Sequence, residues 1–355
     1  MPGFPRIGHR RRHTPPAARL VALLVMVGAW TTLAQVARPP VLILTTGGTI
    51  ASRTGASMQD GATLVGAVPQ LLDHASVTVE EVARVGSSQI TPAHWLSLAS
   101  RINTRYRTDP GLRGIVVTHG TDTLADTAFF LHLTVRDRRP VVLTGSMRSA
   151  NEISADGPAN LLNAVRVAAD PAAAGQGVLV ALNEHIASAR DVWKTDNRRV
   201  ETFRSPELGF LGVVDPDGVA FYRRVVRPHT VDAEFDLADL ERLPDVAVLI
   251  DYPGFDARLV DGVLASRQAG LVIGAFAGGR MSAGARAAVE RASAAGIPVV
   301  VASQVPGGRI VGNPVSGLTA VVARELPPGK ARVLLMLALT RTRDLAQLQR
   351  VFDRY

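Results

Sequence analysis

The sequence predicts an α/β protein of two domains, with mainly parallel sheets flanked by helices. Short apolar runs recur from residue 38 onward and alternate with helical patterns, as chains of βα units do. Several of these runs end in glycine and hydroxyl residues, as strands that open into a ligand crevice do. At 355 residues and 47 % apolar content, the chain is long and apolar enough for about two cores.

The first strand is expected at 41–45, where Val41-Leu42-Ile43-Leu44 reads as a buried run. It breaks at Thr45-Thr46-Gly47-Gly48, whose glycines let backbone approach a ligand closely. Further strands are expected at 77–85, 114–118 (Ile115-Val116-Val117), 140–144 (Val141-Val142-Leu143) and 177–182. Helices are expected between them at 92–105, 122–135 and 158–169. Residues 227–244 are polar, acidic and poor in strand signal, and read as a linker between domains spanning 38–226 and 245–355. The second domain is expected to carry strands at 246–250, 271–275 and 297–302, with helices at 256–268, 281–295, 330–339 and 342–353.

Ahead of the first strand, residues 1–34 read as a secretory signal peptide. They hold five arginines and no acid, then an eleven-residue apolar run, Leu20–Trp30, then the small residues of Thr32-Leu33-Ala34. A membrane anchor is the alternative, but the run is short for a span. Arg11-Arg12 raises a twin-arginine export route without strong support from its neighbours. Removing this segment leaves 34 basic against 31 acidic residues, too even a balance to argue for nucleic acid. The absence of cysteine excludes disulfides, thiolate metal sites and a cysteine nucleophile. Of 39 basic residues only Lys194 and Lys330 are lysine. In so arginine-rich a chain, a retained lysine marks a place where an amine is needed, or chance survival.

The chemistry-bearing residues gather at strand ends. Thr49 follows the first glycine turn, with its hydroxyl available as a nucleophile. Gly86-Ser87-Ser88-Gln89, Thr118-His119-Gly120-Thr121-Asp122-Thr123 and Thr144-Gly145-Ser146-Met147 follow three further strands, and Arg190–Thr195 follows Gly177–Leu182 after a short loop. Taken singly, each has an ordinary reading: Thr46 and Thr49 as turn caps, Asp122 as a helix cap, His119 as a satisfied core histidine. Together the first strand ends would converge on one sheet edge. Hydroxyls, a carboxylate and a scarce lysine form one arrangement for nucleophilic acyl transfer, in which a lysine amine takes a threonine proton and the carboxylate holds the lysine. No metal spacing occurs, the Walker pattern is absent, and the glycines at 274, 278 and 279 do not complete a dinucleotide motif. No metal or cofactor is expected.

The motifs TTGGTIA (45–51), HGTDT (119–123), TGSMRS (144–149), SADGPANL (154–161) and RDVWKT (190–195) resemble the bacterial type II L-asparaginases and glutaminase-asparaginases. The similarity runs from about residue 40 to KARVLLMLALT (330–340) and the closing VFDRY. It implies a homotetramer of two-domain α/β subunits that hydrolyses the side-chain amide of L-asparagine through an acyl-threonine, with L-glutamine as a lesser alternative. By motif, Thr49 matches the nucleophile, and Thr121, Asp122 and Lys194 match the second hydroxyl with its acid–amine support. Ser88 and Asp122 match the groups that hold the substrate's α-carboxylate and α-amine, and Gln89 and Ser146 line the same pocket. Lys330 falls where a structural role is expected.

The resemblance has gaps. The family's flexible loop after the first strand carries a tyrosine; the corresponding segment here, 52–66, has none. The family often supplies a glutamate from a neighbouring subunit, and the corresponding segment, 305–317, has no acid. Gly278-Gly279-Arg280 stands where many relatives carry an asparagine-containing turn. The expectation is an exported, periplasmic or secreted amidohydrolase of small molecules, with no nucleic acid partner and no stable membrane association once the signal is removed. The alternative is an amino-acid-binding paralogue that kept the pocket and lost the lid chemistry.

Overall fold

A computed structural model describes residues 2–3, 37–52, 58–238 and 240–355. Apart from residues 2–3, the expected export signal lies outside the described residues, as do positions 53–57 of the loop after the first strand and position 239 of the expected linker.

Strand β1 (Pro40–Gly47) forms where the apolar run is, and its side chains divide between two cores. Leu42 and Leu44 enter one, while Val41 and Ile43 enter the other, as the two-residue period of a strand dictates. β1 lies between β2 (Ser76–Val85) and β3 (Gly114–Thr118), parallel to both. β4 (Val141–Thr144) and β5 (Val178–Leu182) continue the parallel sheet. The connections hold α1 (Gly61–Gly66), α2 (Leu71–His74), α3 (Pro92–Thr108), α4 (Leu124–Thr134) and α5 (Gly157–Ala169). Leu64, Leu71, Leu161 and Val165 cover one face of the sheet; Leu98, Ile102, Phe129 and Phe130 cover the other.

The strand order 2-1-3-4-5 has a consequence for function. The chain leaves β1 toward β2, then crosses back to β3 on the opposite side. That reversal is a topological switch point, and the crevice it opens lies beyond the carboxyl ends of β1 and β3. Thr49 and Thr121 follow those two ends.

Past β5 the order departs from expectation. Asn183 and Glu184 take left-handed backbone (φ 49° and 65°) and turn the chain into an antiparallel strand, β6 (His185–Ser188). The segment 190–195 is therefore reached through a hairpin. It ends in β7 (Trp193–Lys194), which pairs with β8 (Phe203–Arg204) in a separate ribbon. β9 (Gly212–Asp215) and β10 (Gly218–Phe221) complete the eight-stranded sheet.

The second sheet holds β11 (Val246–Ile250), β12 (Gly270–Ala275), β13 (Val299–Ser303) and β14 (Val321–Val322), all parallel. Its helices are α6 (Val260–Ala265), α7 (Ala283–Ala294), α8 (Pro328–Ala338) and α9 (Leu345–Arg354). The helix expected at 256–268 is shortened to a 3-10 turn, Ala257–Leu259, and α6, and beyond it Arg267 adopts φ 51°. One apolar core runs from Leu42 and Phe129 of the first domain to Val272, Val300 and Leu334 of the second. The segment 227–244 has no strand among its described residues, yet it is packed: Phe235 is buried and its ring lies 5.3 Å from that of Tyr355. The two-domain α/β architecture is as expected, with one mainly parallel sheet in each.

Candidate active site

Three turns meet at the switch point because two glycines allow it. Gly48 has φ 85°, and a Cβ built there would sit 2.3 Å from Gly120 Cα. A Cβ on Gly120 would in turn sit 2.8 Å from Ser87 Cβ. No larger residue fits either position, so the backbones next to Thr49, Thr121 and Ser88 lie against one another. Polar bonds lock the contact. The Thr46 hydroxyl donates to Thr118 O (2.9 Å), and Gly48 N donates to Val85 O (3.1 Å). Asp122 N donates to Ser87 Oγ (3.2 Å), while the Thr123 hydroxyl donates to Ser87 O (2.8 Å). Thr46 thus ties β1 to β3 and caps nothing.

The turn after β3 is also fixed from beneath. His119 is fully buried; Gly120 O lies 2.7 Å from its Nδ1, and Thr127 Oγ1 lies 3.1 Å from its Nε2. A carbonyl only accepts, so Nδ1 carries the proton and Nε2 accepts from the Thr127 hydroxyl. That hydroxyl accepts in turn from Trp95 Nε1 at 2.8 Å. Burial pulls the imidazole down to about 4, so it stays neutral. His119 is a satisfied core histidine that holds the turn.

Lys194 joins two of the expected site residues. Its Nζ donates to Thr121 Oγ1 at 3.0 Å and to Asp122 Oδ1 at 2.8 Å. The hydrogen bond from Lys194 is the main reason the Asp122 carboxyl lies below its usual range. Asp122 does not cap α4: the cap position is Thr123, and the carboxylate turns to the lysine. The Lys194 side chain is 21 % exposed and that of Asp122 is 64 % exposed, so the pair sits at the rim of the crevice. Thr49 is half-buried at the start of a 3-10 turn, Thr49–Ala51, and its hydroxyl makes no hydrogen bond among the described residues. A free hydroxyl, a lysine-bound hydroxyl and a lysine-paired carboxylate at one switch point can support acyl transfer.

The remaining expected positions divide. Ser88 and Gln89 are exposed on the turn Ser87–Gln89, whose Ser87 is buried against Asp122 and Thr123. Ser146 is fully buried, and its hydroxyl donates to Arg148 O at 2.8 Å. It lies beside Gly157, which also approaches Ile50, the residue after Thr49. Sequence reasoning gave no role to Ser87, Trp95, Thr127 or Asp156. The Asp156 carboxylate clamps the turn after β4, accepting from Met147 N (3.0 Å), Arg148 N (2.9 Å) and Asn160 Nδ2 (3.0 Å). Asp156 falls inside the SADGPANL motif and Ser87 inside the strand-end segment Gly86–Gln89, so a signal existed for both; Trp95 and Thr127 carried none. The segment 305–317, with no acid of its own, receives one: Glu207 Oε1 accepts from Gly308 N at 3.1 Å. Among the described residues no group of three or more His, Asp or Glu is placed to hold a metal ion.

Comparison with known proteins identifies the family. The family model described as "Asparaginase, N-terminal" matches residues 40–227, and that described as "Glutaminase/Asparaginase C-terminal domain" matches 245–352. The chain is 41 % identical over 327 residues to L-asparaginase 2 of Bacillus subtilis, covering 89 % of this chain and 87 % of that protein. It is 38 % identical over 345 residues to a probable periplasmic L-asparaginase of Haemophilus influenzae, covering 94 % and 98 %. The crystal structure of a probable cytoplasmic L-asparaginase from Campylobacter jejuni superposes with TM-score 0.85 at 39 % identity, over 90 % of this chain and all of that one. With both family models and relatives of this identity spanning most of its length, the chain belongs to the asparaginase family.

Proposed function

We propose that this protein hydrolyses the side-chain amide of L-asparagine to L-aspartate and ammonia, with L-glutamine as the lesser alternative, through an acyl-threonine on Thr49. The observation that carries the reading is the pair of hydrogen bonds from Lys194 to Thr121 and Asp122, on a turn whose Gly120 lies against Gly48, the residue before Thr49. In the first half-reaction Thr49 Oγ bonds to the amide carbon, the C–N bond breaks, and the hydroxyl proton leaves on ammonia. In the second, water attacks the ester, the carbon–Oγ bond breaks, and the threonine recovers its proton. Lys194 and Thr121 move protons in both halves, and Asp122 holds the amine in place. Backbone N–H groups of the close-packed glycine turns supply donors to the oxyanion. Ser88 and Asp122 hold the substrate's α-carboxylate and α-amine, with Gln89 and Ser146 completing and supporting the pocket.

Ammonia release from L-asparagine and L-glutamine tests this. Thr49→Ala is expected to lower turnover by about 10⁴-fold or more, as loss of a nucleophile does. No release above the Thr49→Ala background rules the reading out. Thermal stabilisation by aspartate without turnover would instead mark the binding paralogue.

The cell-level reading is an exported protein: residues 1–34 are removed and a homotetramer forms from subunits divided into 38–226, a linker 227–244, and 245–355. The basic-then-apolar N-terminus supports export, as does the relative named periplasmic; the structural relative is named cytoplasmic. Fractionation of expressing bacteria and light scattering of the purified protein test it. Retention in the cytoplasm at full length, or a monomer mass, overturns the respective part.

A further inference from the structure

Lys330, the only lysine besides Lys194, is 1 % exposed in the first turn of α8. An ammonium has three N–H donors. All three end on backbone carbonyls of one turn: Ala189 O at 2.8 Å, Arg190 O at 2.7 Å and Val192 O at 2.6 Å. The turn is closed by Asp191 N and Val192 N, which both donate to Ser188 O at 3.1 Å. Two residues beyond Val192, Lys194 reaches Thr121 and Asp122. The carbonyls converge on one buried point, where they would be costly without donors. A compact ammonium meets three converging acceptors; a planar guanidinium does not. That explains why a lysine survives here in a chain that otherwise uses arginine.

We propose that Lys330 is a positioning residue for Lys194: its ammonium holds the Ala189–Val192 turn and so fixes where the Lys194 amine meets Thr121 and Asp122. The proposal rests on the assignment of Lys194 to amide hydrolysis. The charged and titratable groups around Lys330 are Asp126 and His132 from α4, Arg190 and Asp191 from the turn, and Arg332 on its own helix. The Phe129 ring lies 5.6 Å from the ammonium. Burial pulls Lys330 down to about 7, with Arg190 acting in the same direction and Asp191 and Asp126 opposing. On losing its proton the amine keeps two donors for three carbonyls, and the turn loosens.

With two lysines in the chain, isotope-labelled lysine gives two side-chain NMR signals, and Lys330→Met leaves only that of Lys194. The expected result is a Lys194 signal displaced from its wild-type position, with kcat lowered about 10–100-fold and KM nearly unchanged, as for a misplaced catalytic group. A variant whose Lys194 signal and kcat both match wild type overturns the proposal. Should the variant fail to fold, the wild-type protein is titrated: the Lys194 signal must shift at the Lys330 midpoint, and a Lys194 signal blind to that midpoint overturns it equally. A coupled Lys194 signal in a protein that releases no ammonia supports the positioning and overturns the assigned reaction.

Discussion

The two lysines of this chain occupy opposite kinds of site. Lys194 stands at the rim of a crevice, against one hydroxyl and one formal anion. Lys330 is sealed in the core against three backbone dipoles and an aromatic ring. One has its charge balanced by a carboxylate and stays open to a ligand. The other has every donor used and no room for anything else. The same side chain therefore stands in the proposed reaction site in one place and in the architecture in the other. What separates the roles is whether the amine's partners leave a vacancy.

The sharpest way to break that contrast is to remove the amine from each site and compare. Lys194→Met is expected to lower kcat about 10³-fold, within the range for a lost proton-transfer group. It should leave the thermal midpoint close to wild type, because its partner Asp122 is mostly exposed and rehydrates. Lys330→Met should cost less in kcat and more in stability. Steady-state kinetics beside thermal melts decide it, and a Lys330 variant that loses more turnover than the Lys194 variant would abolish the distinction.

Much of this is legible in the sequence, for a physical reason. Strands of a parallel sheet are buried on both faces, so Val41–Leu44, Ile115–Val117 and Val141–Leu143 read as continuous apolar runs. The turns that follow are constrained by close backbone approach, and Gly48 and Gly120 are the visible trace of that constraint. The short antiparallel strands are different. β6 has only four residues and begins with a half-exposed histidine, too little pattern to separate from a loop. The support beneath the site was hidden for another reason. Trp95, Thr127 and His119 form one hydrogen-bonded chain, yet Trp95 and Thr127 lie 32 residues apart and only the fold joins them. Ser87 and Ser88 are neighbours of the same type; the burial of one and exposure of the other follow from the local turn, which composition does not encode. Scarcity flagged Lys330, but the acceptors that explain it come from a segment about 140 positions earlier in the chain.

A smaller effect sharpens the comparison through pH, because the two sites respond at opposite ends of the scale. At the rim, the Asp122 carboxyl is lowered chiefly by its hydrogen bond from Lys194. Its stabilising contribution is present above the ordinary aspartate range and is lost as the pH falls through the lowered value. In the core, Lys330 is held at about 7 against an ordinary 10.5. Between those values the unfolded chain keeps the lysine proton and the folded chain has released it, so stability rises with pH across that window. Below about 7 both states are protonated and above 10.5 neither is, so the contribution is flat on either side. The slope approaches about 1.4 kcal/mol per pH unit for one proton fully released. Urea unfolding of wild type and Lys330→Met at several pH values isolates it, since other groups cancel in the difference. The wild-type stability should gain on the variant through the window, while wild-type turnover falls because the neutral amine holds only two of the three carbonyls. A difference that stays level with pH would mean that the buried lysine keeps its charge, and that three carbonyl dipoles balance an ammonium in the core as well as a carboxylate does at the rim.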